Sequence, residues 1–235
     1  MNNLIYGKNT IKIAIDSTKI KLIELFLLKE DREIIEKCNK KNIKYSLKDR
    51  SFFDSITQDN HQGYIAYYNN YQYINLQQFI ENSNKKKISN ILILDHITDI
   101  GNFASIIRNA AAFNIDAILI HDKKQAQVNE VVHKLSSGSS LIIDIIKVGN
   151  LNSAIKILKE NLYWIYASNL NSSEYIENLS FAPKSAIVVG SEGKGISQLV
   201  SKNSDINFKI RMSQKIDSLN VSSASAIMCY YLFLK

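Results

Sequence analysis

The sequence predicts an α/β protein whose larger part is built on a mainly parallel sheet. Two observations support this prediction. Short, almost wholly apolar segments recur through the second half of the chain, and segments with helical periodicity separate them. Strands that are buried on both faces read as continuous apolar runs, so this alternation is typical of a parallel sheet covered by helices on both sides. Residues 1–78 contain shorter, mixed elements and predict a smaller α/β unit.

The elements of the larger unit follow from this alternation. Strands are predicted at 91–94, 117–121, 141–147, 163–167, 186–190 and 206–210. Helices are predicted at 102–113, 127–136, 152–161, 195–201 and 222–234. In an open parallel sheet, ligands bind beyond the carboxyl ends of the strands. The loops after Leu94, Val189 and Ile210 are therefore expected to form the site.

The smaller unit is predicted from periodicity and from aromatic content. Strands are predicted at 22–27, 43–45 and 64–68, and helices at 9–15, 31–41 and 48–56. Residues 79–89 are polar and without periodicity, and they predict a linker. The run Lys85–Lys87 in this linker is explained better as a solvated stretch than as a phosphate contact. Residues 90–235 then form the second domain.

The charge balance favours a polyanionic partner. The 235 residues contain 29 Lys and Arg against 22 Asp and Glu, which gives a net charge of +7, and the pI is about 9.2. Nucleic acid is the partner that this charge suits best. A genome composition that makes lysine common in all proteins could also produce the same excess. No apolar run reaches the roughly 18 residues of a membrane span, and the N-terminus lacks a signal-peptide layout. A soluble cytoplasmic protein is expected.

The sequence lacks the residue patterns of several common kinds of ligand site and active site. Cys38 and Cys229 are far apart and have no neighbours at metal-ligand spacing, so we expect neither a disulfide nor a metal site. The loop from Gly190 to Gly195 resembles a phosphate cradle but lacks the Gly-Lys-Ser/Thr ending of a P-loop. No Gly-x-Gly-x-x-Gly follows an early strand, and no Gly-x-Ser-x-Gly elbow is present.

Three loop segments together carry a specific pattern. The first contains Asn102, Arg108 and Ala110, and the second contains Gly190, Glu192, Gly193 and Gly195. The third contains Ile210, Met212, Ser218, Leu219, Asn220, Val221, Ser222 and Ala224. In order and spacing, the chain resembles the SpoU (TrmH) family of RNA ribose 2'-O-methyltransferases, members of the knotted SPOUT superfamily. Ala104 stands where the family has glycine, and Arg211 stands where it usually has proline.

This resemblance implies a fold, a cofactor and partners. The C-terminal domain is expected to form a deep trefoil knot. General rules of chain topology would not predict such a knot, because threaded chains are very rare. The N-terminal domain is expected to bind the RNA substrate. The expected cofactor is S-adenosylmethionine, held by Gly190, Ile210, Met212, Leu219 and Asn220. The family members are homodimers without a catalytic metal. The layout is most similar to the enzymes that methylate a guanosine ribose in the P loop of 23S ribosomal RNA.

The resemblance also implies roles for individual residues. Arg108 is the expected catalytic residue, and because a guanidinium is a poor base, we expect it to polarise the ribose hydroxyl together with an RNA phosphate. Asn102 is expected to position the ribose or Arg108, and Glu192 to hold Arg108 or the loop in place. Ser218 and Asn220 are expected to complete the substrate side. RNA contacts are expected from Arg211 and from His61 and Gln62 in the N-terminal domain.

Each of these residues also has a plainer explanation. Taken singly, Arg108 could be an exposed ion-pair partner, and Asn102 a helix cap. Glu192 could be a first-turn acid favoured by the helix dipole, Asn220 a turn residue, and His61 an idle loop histidine. Their joint spacing favours the catalytic interpretation.

Three other functions compete with an rRNA methyltransferase. These are a tRNA 2'-O-methyltransferase, an RNA-binding ribosome-assembly factor without methyl transfer, and a generic α/β nucleotide-binding protein. Binding of ATP or NAD without S-adenosylmethionine would indicate the last of them.

Overall fold

The structure is a computed structural model that describes residues 3–123, 125–213 and 215–235. The strands are, in chain order, β1 Asn3–Tyr6, β2 Leu22–Leu27, β3 Lys44–Leu47, β4 Tyr64–Tyr68, β5 Ser89–Asp95, β6 Ala117–His121, β7 Asp144–Val148, β8 Trp164–Ser168, β9 Lys184–Gly190 and β10 Ile206–Phe208. The helices are α1 Lys8–Asp16, α2 Arg32–Lys41, α3 Arg50–Ile56, α4 Leu76–Ser83, α5 Ile100–Ala112, α6 Glu130–Leu135, α7 Leu151–Glu160, α8 Gln198–Asn203 and α9 Val221–Phe233. Short 3-10 turns lie at Ser139–Leu141 and Ile176–Asn178.

The described chain divides into two compact units. The first combines the N-terminal segment through Gln72 with residues Val128–Ile142, and the second contains Tyr73–Gln127 and Ile143–Lys235. The sequence predicts a boundary at residue 78 and assigns 127–136 to the second domain, so the structure differs at both points. Within the predicted linker, Phe79 and Ile80 of α4 are buried in the core of the second unit. Leu76, Phe79 and Ile80 have helical spacing, but this helix of eight residues is too short for the pattern to stand out among its polar neighbours.

The first unit contains a four-stranded sheet in the order β1-β4-β2-β3. The β4 strand is antiparallel to both β1 and β2, and β2 is parallel to β3. Alternate side chains of these strands face opposite sides. One side packs with Ile11 of α1 and Ile34 of α2, and the other with Phe53 of α3. The β1 strand was not predicted, because four residues at the chain start carry too weak a pattern.

A buried polar network holds Val128–Ile142 within the first unit. The fully buried His133 accepts or donates through Nε2 to the hydroxyl of Tyr68 at 3.2 Å, and its Nδ1 lies 2.7 Å from Ser140 Oγ. The Tyr71 hydroxyl donates to the carbonyl of Ser140 at 2.8 Å. Burial lowers the pKa of His133 to about 4, so the ring is neutral at physiological pH.

The second unit is built on a six-stranded, wholly parallel sheet in the order β10-β8-β9-β5-β6-β7. The central strands β5 and β9 are buried along almost their whole length. One side of the sheet packs against apolar residues of α4 and α7. Phe113, which follows α5, contacts the rings of Tyr230 and Phe233 on α9. The predicted α/β class, with its mainly parallel sheet and smaller N-terminal unit, is confirmed.

The predicted elements shift mainly at their ends. The predicted strand 141–147 begins at Asp144, because Leu141 belongs to a 3-10 turn and packs in the core of the first unit. The predicted helix 195–201 begins at Gln198, after the glycine loop has ended. Cys38 and Cys229 are buried free thiols, and burial raises the pKa of Cys229 to about 12. Among the described residues, no helix is long and apolar enough to cross a membrane.

Candidate active site

The two central strands of the second unit bring two loops to one edge of the sheet. The β5 and β9 strands pair in parallel from Ser89 opposite Lys184 to Asp95 opposite Gly190. The segments that follow Asp95 and Gly190 therefore start side by side, although 95 residues separate the two positions in the chain. The predicted convergence of the loops after Leu94 and Val189 rests on this register.

The glycine loop after β9 folds back tightly on itself. Ser191 and Gly195 exchange two backbone hydrogen bonds of 3.2 and 2.8 Å. A Cβ atom on Gly190 would overlap with the backbone of Gly195 and Ile196, so only glycine fits this position without displacing the loop. Gly193, by contrast, has open space around its Cα. The loop is thus shaped by close backbone approach at its first residue.

The glycine loop forms one wall of a first cavity of about 540 Å³. Three of the predicted cofactor residues lie on later segments of the chain and line the same cavity: Ile210, Met212 and Leu219. Gly190 and Ser218 also line it. The rest of the lining includes aliphatic residues and the lysines Lys194, Lys202 and Lys209. A volume in this range suits a small-molecule cofactor.

The glycine loop also lines a second cavity of about 620 Å³. It is lined by His96, Thr98, Asp99 and Asn102 from the segment after β5, together with the loop itself. Loop residues Ser191–Gly195 and Val221 belong to the walls of both cavities. The two cavities therefore adjoin and share the glycine loop.

Three of the predicted catalytic residues form one hydrogen-bonded cluster. Glu192 Oε1 accepts from Asn220 Nδ2 at 2.6 Å and from Asn102 Nδ2 at 3.3 Å. Asn220 Nδ2 also donates to Asn102 Oδ1 at 3.0 Å. The backbone amide of Val221 points to the same carboxylate oxygen at 3.4 Å. The cluster connects the starts of α5 and α9 to the glycine loop.

The two asparagines of the cluster differ in whether they also cap a helix. The N-cap of α5 is Asp99, whose Oδ1 accepts from the backbone amide of Asn102 at 2.7 Å. Asn102 is therefore not the cap, and its side chain is available for the cluster. Asn220 caps α9 through Oδ1, which accepts from Ser222 and Ser223, while its amide group serves the cluster. Glu192 lies in a loop and not in a first helical turn, so the dipole explanation is wrong.

Arg108 and Ser218 lie outside this cluster. Arg108 is exposed on α5, lines neither of the two cavities, and makes no hydrogen bond or ion pair with any described residue. The alternative interpretation of Arg108 as an ion-pair partner therefore has no support among the described residues. Ser218 is exposed and lines the first cavity rather than the second. Asn220, predicted to bind the cofactor as well, lines neither cavity.

The unusual residue Ala104 does not contact either cavity. It is fully buried in α5, and its methyl group faces the interior of the second unit. The additional methyl group therefore occupies core space and not the ligand site.

Two residues of the site were missed by sequence reasoning. Asp95 ends β5 and is 1% exposed; its Oδ2 accepts from the backbone amide of Ser197 at 2.7 Å. Its Oδ1 lies 2.5 Å from Nδ1 of His96, which lines the second cavity. An Asp-His pair at the carboxyl end of a buried apolar strand is a signal that could have been recognised.

The predicted RNA contacts in the first unit have structural roles. His61 stacks on Phe53 with ring centroids 4.9 Å apart, and its Nδ1 accepts from the backbone amide of Gly63 at 3.0 Å. Its side chain is only 12% exposed. Gln62 is exposed and adopts φ 58°, and its Oε1 accepts from the amide of Lys8 at the start of α1. His61 is therefore not an idle loop residue, and Gln62 is the more accessible of the two.

Arg211 is exposed on the surface of the second unit. Its Nε donates to Glu177 Oε1 at 2.6 Å, and its guanidinium lies 4.2 Å from the ring centroid of Tyr175. The hydrogen bond from Arg211 lowers the pKa of Glu177. Lys209 lies over the same ring at 5.1 Å. Within the described residues, no group of three or more His, Cys, Asp or Glu side chains could hold a metal ion.

Nearly the whole chain is similar to known RNA methyltransferases. Residues 89–230 match the family model of the SpoU rRNA Methylase family, and residues 4–74 match the model for RNA 2'-O ribose methyltransferase substrate binding. A Staphylococcus aureus protein described as a TrmH family tRNA/rRNA methyltransferase is 32% identical over 239 residues, which cover 100% of this chain and 96% of that protein. A relative of the same description from Staphylococcus epidermidis is 31% identical, covering 99% of this chain and 95% of its own.

Solved structures share the fold at lower sequence identity. An AdoMet-bound rRNA methyltransferase from Sinorhizobium meliloti aligns with a TM-score of 0.84 at 19% identity, covering 98% of this chain and 86% of that one. The SpoU methyltransferase AviRb from Streptomyces viridochromogenes aligns with a TM-score of 0.84 at 15% identity, covering 99% of this chain and 89% of that one. Because the two family models match successive parts of the chain and the relatives match nearly all of it, this chain belongs to the SpoU rRNA methylase family.

Proposed function

We propose that this chain transfers a methyl group from S-adenosylmethionine to a ribose 2'-hydroxyl of RNA. The observation that carries the proposal is the Asn102–Glu192–Asn220 cluster, which fixes a glycine loop that lines two adjoining cavities. One cavity suits the cofactor and the other the ribose. Direct transfer needs the reacting atoms within about 3.5 Å of each other, so the two bound molecules are proposed to meet where the same loop residues line both cavities.

The first cavity fits the proposed cofactor. Its glycine wall offers backbone groups to an adenine ring, and Ile210 and Leu219 offer apolar surface. Lys194, Lys202 and Lys209 place positive charge at the same cavity, which suits the carboxylate of the methionine part. The cradle at Gly190 leaves no room for a side chain. When bound, the cofactor supplies an electrophilic methyl group on a sulfonium.

The residues of the second cavity are proposed to hold the ribose. Asn102 and Glu192 present polar atoms there, and both are already fixed by Asn220. Arg108, exposed and without a partner among the described residues, is proposed to bind an RNA phosphate and through it to orient the hydroxyl. Ser218 contributes a hydroxyl from the cofactor side.

The proposed substrate is a guanosine of 23S ribosomal RNA, and tRNA is the alternative. Support for an RNA substrate comes from the net charge of +7 and from the substrate-binding match at residues 4–74. The relatives are described as tRNA/rRNA methyltransferases, which leaves both substrates open. In the first unit, Gln62 is the exposed candidate for an RNA contact. The protein is proposed to act in the cytoplasm.

The second unit is proposed to form a homodimer and to contain the family's trefoil knot. The end of α9 exposes Tyr230, Phe233 and Leu234 by 47, 50 and 59%. Exposed apolar residues grouped in this way favour burial against another chain. Light scattering at micromolar concentration is expected to give twice the monomer mass, and a monomer would contradict the dimer.

The test of the proposed function is transfer of a labelled methyl group to under-modified large-subunit rRNA and to tRNA. Mass spectrometry of the digested product is expected to identify 2'-O-methylguanosine from the rRNA. Arg108→Ala should abolish the product, whereas Lys156→Ala, an exposed change on α7 of the same unit, should not. Product on tRNA alone would establish the alternative substrate. Intact RNA binding without transfer to either RNA would favour an assembly factor.

A further inference from the structure

Lys134 of α6 has an ammonium group that no carboxylate of the described residues neutralises. Its Nζ lies 5.7 Å from the ring centroid of Tyr6, and it makes no hydrogen bond or ion pair with any described residue. Burial lowers the pKa of Lys134, and the nearby charge of Asp59 offsets only part of this effect. A charge that has lost water without gaining a partner costs free energy, and a bound anion removes that cost.

The Lys134 ammonium occupies space that is open because residue 7 is glycine. A Cβ atom on Gly7 would lie 2.5 Å from Nζ of Lys134 and 3.4 Å from Oε1 of Gln62. Gly7 also has a φ of 96°, which residues with a side chain rarely adopt. Two polar side chains from distant parts of the chain therefore meet at the backbone of Gly7.

Gln62 presents an unused amide group at the same point. Its φ of 58° lies in the left-handed region, which a glutamine seldom adopts, and strain of this kind is concentrated at functional sites. Its Oε1 accepts from the backbone amide of Lys8 at 3.0 Å, whereas its Nε2 has no partner among the described residues. Gly7, as the N-cap of α1, provides no side-chain acceptor, so the positive end of the helix dipole is open there.

The acidic groups near Lys134 do not form an ion pair with it. Asp59 Oδ2 accepts from the hydroxyl of Tyr6 at 2.5 Å, and burial together with this bond raises the pKa of Tyr6. Glu130 lies about one helical turn before Lys134 on α6, a spacing that often gives an ion pair, but none joins these two described side chains. The ammonium is therefore available to an anion from outside the protein.

We propose that Lys134 and Gln62 together bind one phosphate group of the RNA backbone. The proposal rests on the proposed function, because it adds a contact for the same RNA substrate. Lys134 donates through its ammonium and Gln62 through Nε2, and the start of α1 favours the negative charge. Such a contact fixes the position of the RNA without reading its bases.

The place of Lys134 in the sequence makes this site unexpected. The substrate-binding family model matches residues 4–74, whereas Lys134 lies within residues 89–230, which match the methylase model. In the structure, Val128–Ile142 belongs to the first unit. The first unit thus obtains this lysine from the part of the sequence that matches the methylase model.

The first test compares the RNA affinities of Lys134→Gln and Lys40→Gln. Each change removes one positive charge from the first unit, and Lys40 is exposed on α2 without an ion pair among the described residues. Fluorescence anisotropy is measured with labelled under-modified 23S rRNA fragments and with tRNA, between about 50 and 200 mM salt. Lys134→Gln should bind about tenfold more weakly at the lower salt and reduce the slope of log affinity against log salt by about 0.7–0.9. Lys40→Gln should change neither.

Two further variants and a stability measurement separate a phosphate contact from a structural role. Lys134→Arg keeps the charge and should keep the salt slope. Gln62→Glu keeps an oxygen that accepts from Lys8 but replaces the Nε2 donor by a charged oxygen, so RNA binding should weaken. The melting temperature of Lys134→Gln should not fall, because the change removes a charge that has no partner among the described residues.

The possible outcomes distinguish this site from the proposed function. At saturating RNA, Lys134→Gln should transfer the methyl group at a single-turnover rate within about twofold of the unaltered protein, since Lys134 only holds the RNA. An unchanged affinity and salt slope in Lys134→Gln would overturn the phosphate site alone. A loss of affinity that comes with a lower melting temperature would also overturn it. If the unaltered protein binds neither RNA, the proposed RNA substrate and this site fail together.

Discussion

Glu192 Oε1 accepts a 2.6 Å hydrogen bond from Nδ2 of Asn220, the residue that caps α9. The bond joins the glycine loop after β9 to the start of the last helix. The same carboxylate oxygen is reached by Asn102 at the start of α5. One oxygen thus coordinates three chain segments at the boundary of the two cavities, and the geometry of the site depends on it.

Changing Glu192 is expected to affect catalysis in proportion to the hydrogen bonds lost. Glu192→Ala removes every acceptor, and we expect transfer to fall at least about tenfold, the equivalent of about 1.5 kcal/mol for hydrogen bonds to a charged group. Glu192→Gln keeps an oxygen at the same reach and should lose less. Single-turnover rates at saturating cofactor measure both. If both variants transfer as fast as the unaltered protein, the acceptor is unimportant, and an equal fall in both would show that the negative charge is required.

A methyl group at Gly190 is expected to disrupt the first cavity. In Gly190→Ala the added Cβ overlaps with the backbone of Gly195 and Ile196, so the loop must move. We expect a loss of stability of about 1–3 kcal/mol and weaker binding of S-adenosylmethionine by calorimetry. Gly193→Ala in the same loop is the matched control, because its Cβ meets nothing within 4 Å. Equal losses of stability in the two variants would contradict this account of the loop.

Releasing Arg211 from Glu177 is expected to strengthen RNA binding. The guanidinium lies against Tyr175 and donates to Glu177, so an RNA phosphate must compete with that carboxylate. Glu177→Gln removes the competing charge and should raise affinity. Arg211→Ala should lower affinity several-fold and reduce the slope of log affinity against log salt by about 0.7–0.9.

Fluorescence anisotropy between about 50 and 200 mM salt measures both effects. If Arg211→Ala leaves both the affinity and the slope unchanged, Arg211 does not contact RNA. Its only role is then the surface contact with Glu177 and Tyr175.

The buried His133 is expected to make stability depend on pH. Its pKa is lowered from 6.5 to about 4, so the folded protein binds this proton less readily than the unfolded chain does. The contribution of the neutral His133 ring to the free energy of unfolding is fully present above about pH 6.5 and is lost as the pH falls towards 4. The loss at pH 4 is on the order of 3 kcal/mol.

Urea unfolding between those pH values measures this dependence. Tyr68→Phe removes the hydroxyl that faces His133 Nε2 at 3.2 Å, and it should cost about 1 kcal/mol at neutral pH. His133→Asn should weaken the dependence of stability on pH. If His133→Asn keeps the full dependence of stability on pH, groups other than His133 cause that dependence.

Much of the fold was predictable because its signals are local. The β6 strand, Ala117–His121, was predicted with its observed bounds, since a fully buried strand is a continuous apolar run. The α4 helix was missed, because Phe79 and Ile80 are buried by partners distant in sequence. The same limit applies to Val128–Ile142, whose place in the first unit depends on the contacts of His133 with Tyr68 and Ser140.

The sequence by itself determined the α/β class, most of the elements in their order and the identity of the loops that carry polar residues. Those features follow from propensity and periodicity, which act over a few residues. Only the tertiary structure decided that Asn102, Glu192 and Asn220 share one hydrogen-bonded cluster, that His96 pairs with Asp95, and that Arg108 lies apart from both cavities. The physical reason is strand register: Asp95 and Gly190 lie opposite each other only because β5 and β9 are neighbours in the sheet.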